Sequence, residues 1–303
     1  MPTLPINVEQ LRQLYMDIRR GVGPVKIGGR SMDAFKKMLD APGDTAVKSI
    51  SMLAEEHGIS TSSLTRLAQR LGYDGFPALQ DIFRQELRGR KSYYSDQVNR
   101  FLHSTRAAAP DKLSDKQPLQ HLVQGEWGNV MATMEECSHE RYAHVADLVS
   151  HAPRVAVLGL RGSYTLAFYF GYYLRMIRDN VTIIDNGGNT LAEALADLDQ
   201  DDLLFAISVK PYTRYTVDAC HIARENGLHV VALTDSMASP LAYATDNLLL
   251  MSCKGDFYFS PITSGVLYLE ALLTDAVKIL GDRAVNKLRT NESLLDRLGV
   301  ETE

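Results

Sequence analysis

The strongest constraint on this chain is a change of texture at Pro153. Beyond it, short and almost wholly apolar runs fall at 155–158, 181–184, 203–208, 230–233 and 248–251. Between them, at 163–176, 190–197, 215–226 and 262–280, apolar residues recur every three or four positions, the period of an amphipathic helix. A strand that is apolar on both faces must be covered on both. A helix after each strand supplies that cover and returns the chain so that the next strand runs parallel. The pattern predicts a five-stranded parallel doubly wound sheet.

Before Pro153 the periodicity is helical throughout, at 8–20, 31–40, 49–57, 60–71 and 76–88. From Arg88 to about Pro118 the chain is polar with two prolines, a connector that is partly helical around 98–102. A longer helical segment at 119–150 follows. The expected organisation is a helical domain at 1–90, a linker at 91–124, an α/β domain at 125–285 and a tail at 286–303. With 303 residues, each domain has length enough to bury its own core.

Charge is unevenly divided. Residues 1–91 hold 14 Lys and Arg against 10 Asp and Glu, whereas the remainder holds 18 against 27. A mildly basic head on an acidic body fits a protein whose head alone meets phosphate backbones. Cys137, Cys220 and Cys253 are scattered and form no CxxC pair, as expected of free thiols in a reducing compartment. No apolar run is long enough to span a bilayer, and the first residues lack the order of a secretory signal. A cytoplasmic protein with no membrane partner is expected.

The densest information lies at 51–71. Two short helices that cross steeply need a small residue at the crossing, which Ala54 supplies, and a turn residue that accepts positive φ, which Gly58 supplies. Leu53, Ile59, Leu64 and Leu67 fall where the pair packs together, and Ser60 is placed to cap the second helix. Leu64, Leu67, Ala68 and Leu71 make one apolar stripe. Ser62, Arg66 and Gln69 lie opposite it, flanked by Ser63, Thr65 and Arg70. Such a face suits a major groove, because arginine grips guanine with two hydrogen bonds and glutamine pairs with adenine. Thr61, Ser62, Ser63 and Arg66, near the helix start, are the candidates for base edges. Arg70 and Lys48 are the candidates for phosphates. The same spacing also fits an ordinary helical hairpin with a solvated polar face.

The stretch from Ile50 to about Arg84 resembles the DNA-binding domain of the RpiR family of bacterial transcription regulators. Leu71-Gly72-Tyr73-Asp74-Gly75-Phe76 is similar to that family's "LG-aromatic-x-GF" signature. Residues 125–285 are similar to the sugar isomerase (SIS) domain that follows in the same family. The resemblance implies an all-helical head that binds double-stranded operator DNA as a dimer, and control of sugar or sugar-acid catabolism, here expected as repression.

Two loops of the α/β half carry the effector expectation. After the first strand, Gly159-Leu160-Arg161-Gly162-Ser163 makes a glycine turn into a helix, a place where anions bind. After the third strand comes Ser208-Val209-Lys210-Pro211-Tyr212-Thr213, with Thr216 following. The carboxyl ends of strands face the ligand crevice in open α/β sheets. The resemblance implies that Ser163, Ser208 and Thr213 hold a sugar phosphate. The chain departs from the SIS pattern where Arg161 replaces a second glycine and Lys210-Pro211 replaces a Ser-Gly pair. Two readings follow. Arg161 and Lys210 recognise a small anionic sugar-derived effector by charge, or the pocket has degenerated and leaves a dimerisation domain.

SIS domains also occur in isomerases, so a sugar-phosphate isomerase with a vestigial helical domain is the alternative. Glu193, Glu270 and His221 are its candidate bases. No metal-ligand cluster, P-loop or Ser-His-Asp order is present, so neither metal, cofactor nor enzymatic activity is expected. The helices at 163–176 and 262–280 carry more apolar surface than a sheet needs, which points to a homodimer or tetramer.

Overall fold

The computed structural model describes residues 4–90, 93–107, 118–185, 190–255 and 257–300. The chain divides into two compact units near residue 97.

The first unit is helical throughout its described residues: α1 Val8–Arg19, α2 Gly29–Asp40, α3 Pro42–Val47, α4 Ile50–Glu56, α5 Thr61–Arg70 and α6 Gly75–Arg90. Side-chain caps set the starts: the Asn7 side chain accepts from Gln10 N at 2.8 Å, and Ser49 from Met52 N at 3.3 Å. Phe35, Met38, Leu39, Leu53, Leu64, Leu67, Leu79 and Phe83 are fully buried together with Leu11. Each such side chain contributes about 1.5–3 kcal/mol on leaving water.

The short helix α3 escapes the periodicity reading. It begins with Pro42 at its first turn, where a missing N–H costs nothing. Its last carbonyls, which no helix this short can satisfy itself, are taken by α6. Gln80 Nε2 donates to Thr45 O at 2.9 Å and Lys48 O at 2.7 Å, and Arg84 Nε to Ala46 O at 3.2 Å. Helix α7, Tyr93–Ala107, occupies much of the stretch read as a linker.

In the second unit the expected segment at 119–150 is two helices, α8 Pro118–Glu136 and α9 His139–His151. The break falls at Ser138, whose hydroxyl caps α9 by accepting from Arg141 N at 3.5 Å. The strands are β1 Val155–Gly159, β2 Val181–Ile184, β3 Leu203–Ile207, β4 His229–Thr234 and β5 Asn247–Leu250, all parallel in the order β2-β1-β3-β4-β5. The crossovers are α10 Tyr164–Ile177, α11 Leu191–Ala196 and α12 Arg214–Glu225, with α13 Thr263–Leu280 after β5.

Alternate residues of the strands build two cores. Val155, Val157, Leu203, Phe205, Ile207 and Val231 pack under α9, α10 and α13, with the Phe170 and Phe205 rings 4.7 Å apart. Ala156, Leu158, Leu204, Ala206 and Ala232 pack on the opposite face against Leu195, Ala219, Cys220 and Ala223. The sheet is therefore doubly wound. The stretch read as a tail belongs to α14, Asp282–Leu298, whose Ala284 is buried and whose Asn291 donates to Met176 O at 3.1 Å.

Because β1 lies between β2 and β3, the chain leaves β1 in one direction and β3 in the other. A crevice opens outside their carboxyl ends at such a switch point.

Candidate functional site

In the first unit, α4 ends at His57 and reverses at Gly58, where φ is 66°. Gly58 N donates to Glu55 O at 3.1 Å and Ile59 N to Ala54 O at 3.0 Å, the paired bonds of a Schellman turn. Ser60 then caps α5, accepting from Ser63 N at 3.2 Å. The far end of α5 closes in the same way. Gly72, at φ 98°, donates to Gln69 O and Tyr73 N to Ala68 O, each at 3.0 Å. Tyr73 is buried and donates to Pro5 O at 2.6 Å, and burial pushes its hydroxyl up to about 12. Phe76 is buried beside it in sequence, which accounts for the aromatic positions of the signature.

Leu64, Leu67, Ala68 and Leu71 are buried, so α5 can present only its other side. Thr61, Ser62, Arg66, Gln69 and Arg70 are exposed, and Ser63 and Thr65 half-buried. Several of these groups are held in place: Ser60 and Ser62 hydroxyls are 2.9 Å apart, Arg66 Nη2 donates to Ser63 Oγ at 3.3 Å, and Arg70 Nη1 reaches Lys26 O at 3.5 Å. Lys48 stands differently from the others. Its ammonium lies between Asp44, at 3.0 Å, and Glu56, at 2.7 Å, which raise its pKa by hydrogen bonding and tie α3 to α4. A groove of about 480 Å³ beside the start of α5 is lined by Arg30, Ser31, Glu55, Gly58, Ser60 and Ser63 among others. Exposed Arg30 thus adds a cation to this edge. Sequence reading missed it, because Arg30 lies 30 residues before Ser60 and joins it only through the fold.

In the second unit, β1 ends at Gly159, where a Cβ would sit 2.6 Å from Ser163 O. Only glycine allows the strand to pass so close to the following turn. A 3₁₀ turn at Arg161–Ser163 leads into α10, and Ser163, at the N-cap of that helix, makes no side-chain bond to its amides. Arg161 has φ 57°, a left-handed conformation that favours glycine, and its side chain is exposed.

After β3, Ser208 is buried and its hydroxyl accepts from Thr213 N at 3.2 Å, curling the loop around it. Lys210 is half-buried: its N–H donates to Asp235 Oδ2 at 3.4 Å and its carbonyl accepts from Ser260 Oγ at 3.3 Å. Thr213 precedes α12 without a side-chain cap; Thr216 N donates to Thr213 O at 3.1 Å, which leaves the Arg214 and Tyr215 amides of the first turn for another acceptor. Thr216 in that first turn is fully buried and its hydroxyl has no hydrogen-bond partner.

The candidate bases do not converge on this crevice. Glu193 is exposed on α11. Glu270 accepts from Tyr169 OH at 2.6 Å in a groove of about 300 Å³ between α10, α13 and α14, with Tyr173, Leu273, Val277 and Leu288. His221 lies in the second turn of α12, half-buried. Cys220 is wholly buried, and its thiol is pushed up to about 12 by that burial.

Two family models match the chain: a helix-turn-helix domain of the rpiR family over residues 35–89, and a SIS domain over residues 148–275. The head carries a helix-turn-helix domain of the rpiR family. Relatives carry names that agree. An HTH-type transcriptional regulator of Clostridium perfringens is 25% identical over 255 residues, 82% of this chain and 88% of that protein. The HTH-type transcriptional regulator HexR of Pseudomonas aeruginosa is 24% identical over 241 residues, 78% of each. The sugar isomerase domain of an RpiR transcription factor from Sphaerobacter thermophilus is 28% identical and covers 59% of this chain and 99% of its own, with a TM-score of 0.57. NanR of Vibrio vulnificus, solved with ManNAc-6P, has the same fold over 94% of this chain and 98% of its own, at 17% identity and a TM-score of 0.54. With these two domains and these relatives, the chain is a helix-turn-helix transcriptional regulator with a SIS domain. Among the described residues no helix is long and apolar enough to cross a membrane.

Proposed function

We propose that this regulator represses genes of carbohydrate or sugar-acid catabolism, and that a phosphosugar or related anionic metabolite in the SIS crevice controls its grip on operator DNA. The labour divides as head 1–90, connector 91–124, effector and dimerisation domain 125–285 and terminal segment 286–303. It works in the cytoplasm and does no catalysis.

The observation that carries the DNA reading is the outward ridge of α5. Thr61, Ser62, Arg66, Gln69 and Arg70 are exposed on a helix whose other side is locked into the core. Thr61, Ser62, Ser63 and Arg66 read base edges; Thr65, Gln69 and Arg70 extend the contact along the groove. Lys48 reaches phosphate only by exchanging its two carboxylate partners for it.

The effector reading rests on the crevice at the switch point. Gly159, Arg161, Ser163, Ser208, Lys210, Thr213 and Thr216 stand on the two loops that leave β1 and β3. Uncapped amides of α12 and the hydroxyls suit a phosphate, and two cations add to that field. The NanR complex with ManNAc-6P supports a phosphosugar ligand for this fold.

A dimer or tetramer brings two heads to one operator. Apolar residues left exposed on α10 and α13, among them Phe168, Tyr172, Tyr173 and Leu267, fit a subunit interface.

The test is a mobility shift on the gene's own upstream DNA over a salt series, with and without a panel of sugar phosphates. Specific retention that weakens steeply with salt and is released by one sugar phosphate is the expected result. Retention on no fragment, or retention indifferent to every sugar phosphate, would defeat the corresponding half.

A further inference from the structure

We propose that Glu126 and Asp235 form the hydroxyl-reading end of the crevice, selecting an effector that is anionic at one end and an uncharged polyol at the other. The proposal rests on the effector reading above and narrows it.

Asp235 follows β4 directly and is half-buried. Through the Lys210 N–H it is joined to the loop that leaves β3, so it continues the crevice wall away from the switch point. Cys253 comes three residues after the end of β5. Burial pushes its thiol up to about 12, and both Asp235 and Glu126 stand near enough to push it further. Met251 N, just past β5, donates to Thr234 O at 2.9 Å, so Asp235 stands beside the chain leaving β5 to which Cys253 belongs.

Glu126 comes from α8, one turn before Asn129 on the same face. Asn129 is buried and bonded to Lys254 and Ser252, which locks that face of α8 onto the chain leaving β5. Glu126 Oε2 is out of solvent and has no hydrogen-bond partner. A buried carboxylate oxygen without a donor is costly, and natural structures rarely leave one. The hydroxyl of Thr216, fully buried near the anion loop, is unsatisfied in the same way.

A sugar hydroxyl is a donor of the kind Glu126 lacks. Neighbouring strands lie about 4.8 Å apart, so the step from β3, whose loop carries Ser208 and Thr213, across β4 to β5 is roughly 10 Å. A phosphorylated sugar bridges that step with its phosphate at Ser208 and Thr213 and its hydroxyls toward Asp235 and Glu126. A second phosphate or a carboxylate at the far end would meet two negative charges. Sugar bisphosphates and phosphorylated sugar acids are thereby disfavoured.

The test is calorimetry on the full chain with hexose monophosphates (aldose, ketose and acetamido forms), a hexose bisphosphate and inorganic phosphate. Wild type is compared with E126Q, D235N and K210A. One monophosphate should bind at least about tenfold more tightly than the bisphosphate. E126Q and D235N should each weaken it about tenfold while leaving inorganic phosphate unchanged. The unliganded E126Q protein should melt no lower than wild type, because it loses an unsatisfied charge. Monophosphate affinity within about twofold of wild type in E126Q, or a bisphosphate bound as tightly, overturns the proposal. If K210A loses every ligand while E126Q loses none, the effector reading stands and this one falls. If wild type binds no phosphate at all, both fall.

Discussion

Asn129 holds Lys254 by both of that residue's main-chain groups: its Nδ2 donates to the Lys254 carbonyl and its Oδ1 accepts from the Lys254 N–H, each at 2.9 Å. The same Oδ1 accepts from Ser252 Oγ at 2.9 Å, and Thr133 Oγ1, one turn along α8, accepts from Ser252 N at 2.8 Å. The chain leaving β5 is thus shaped by α8. Asn129→Ala would leave an amide and a carbonyl unpaired, and each buried orphan costs about 1–3 kcal/mol. Thermal unfolding should show the loss, and Asn129→Asp, which keeps the acceptor but not the donor, should recover part of it.

On α5 the two sides should respond oppositely. Arg66→Ala and Ser62→Ala remove exposed groups, so unfolding should stay within about 0.5 kcal/mol of wild type. Arg66→Ala should cost about 1–3 kcal/mol of discrimination between operator and random DNA. Leu64→Ala, at a fully buried position, should cost about 2–5 kcal/mol of stability and lower DNA binding only through unfolding. Competition gel shifts and denaturant melts separate the two outcomes.

Arg161 offers a substitution that should stabilise. Its φ of 57° carries a penalty of about 1–2 kcal/mol for a residue with a Cβ. Arg161→Gly relieves it, at the expense of greater freedom in the unfolded chain, so the melting temperature should rise slightly or hold. The same variant removes one of the two cations proposed for the crevice, so it should bind sugar phosphates more weakly, which calorimetry reads.

His57, at the end of α4, has both ring nitrogens out of solvent and without a hydrogen-bond partner. Burial lowers its pKa below the ordinary 6.5, with Lys37 and Lys48 adding to the effect and Glu56 and Asp33 opposing it. The folded head therefore holds its imidazole neutral where the unfolded chain would protonate it. Stability from this site is present above 6.5 and is lost as pH falls through that value toward the lower folded pKa. Melting temperature should drop with acidification in wild type and drop less in His57→Gln.

Much of the fold is legible in the residues, for reasons of length and symmetry. Strands such as Leu203–Ile207, apolar on both faces, admit one architecture, and α5 carries its apolar stripe over a full two turns. Short or indirectly supported elements are hidden. Helix α3 has six residues and depends on Gln80 and Arg84 from α6, which no local pattern announces. Helix α14 does carry an amphipathic signal at Val285, Leu288 and Leu295, but its partner surface is distant in sequence. In the candidate site, the loops after β1 and β3 were legible because strand ends mark them. Arg30, Glu126 and Asp235 were not, since each reaches its site through tertiary packing. Lys48 shows the converse: a lone cation in the text is a paired one in space.

The matching glycine clasps before and after α5 have an evolutionary corollary. Both are sealed by main-chain atoms, at Ala54–Ile59 and Ala68–Tyr73, and owe nothing to the ridge between them. Substitutions at 62, 66 and 69 can accumulate without unsettling the frame that displays them. A lineage could re-address such a head to new promoters by changing a handful of codons, keeping its metabolite sensor intact.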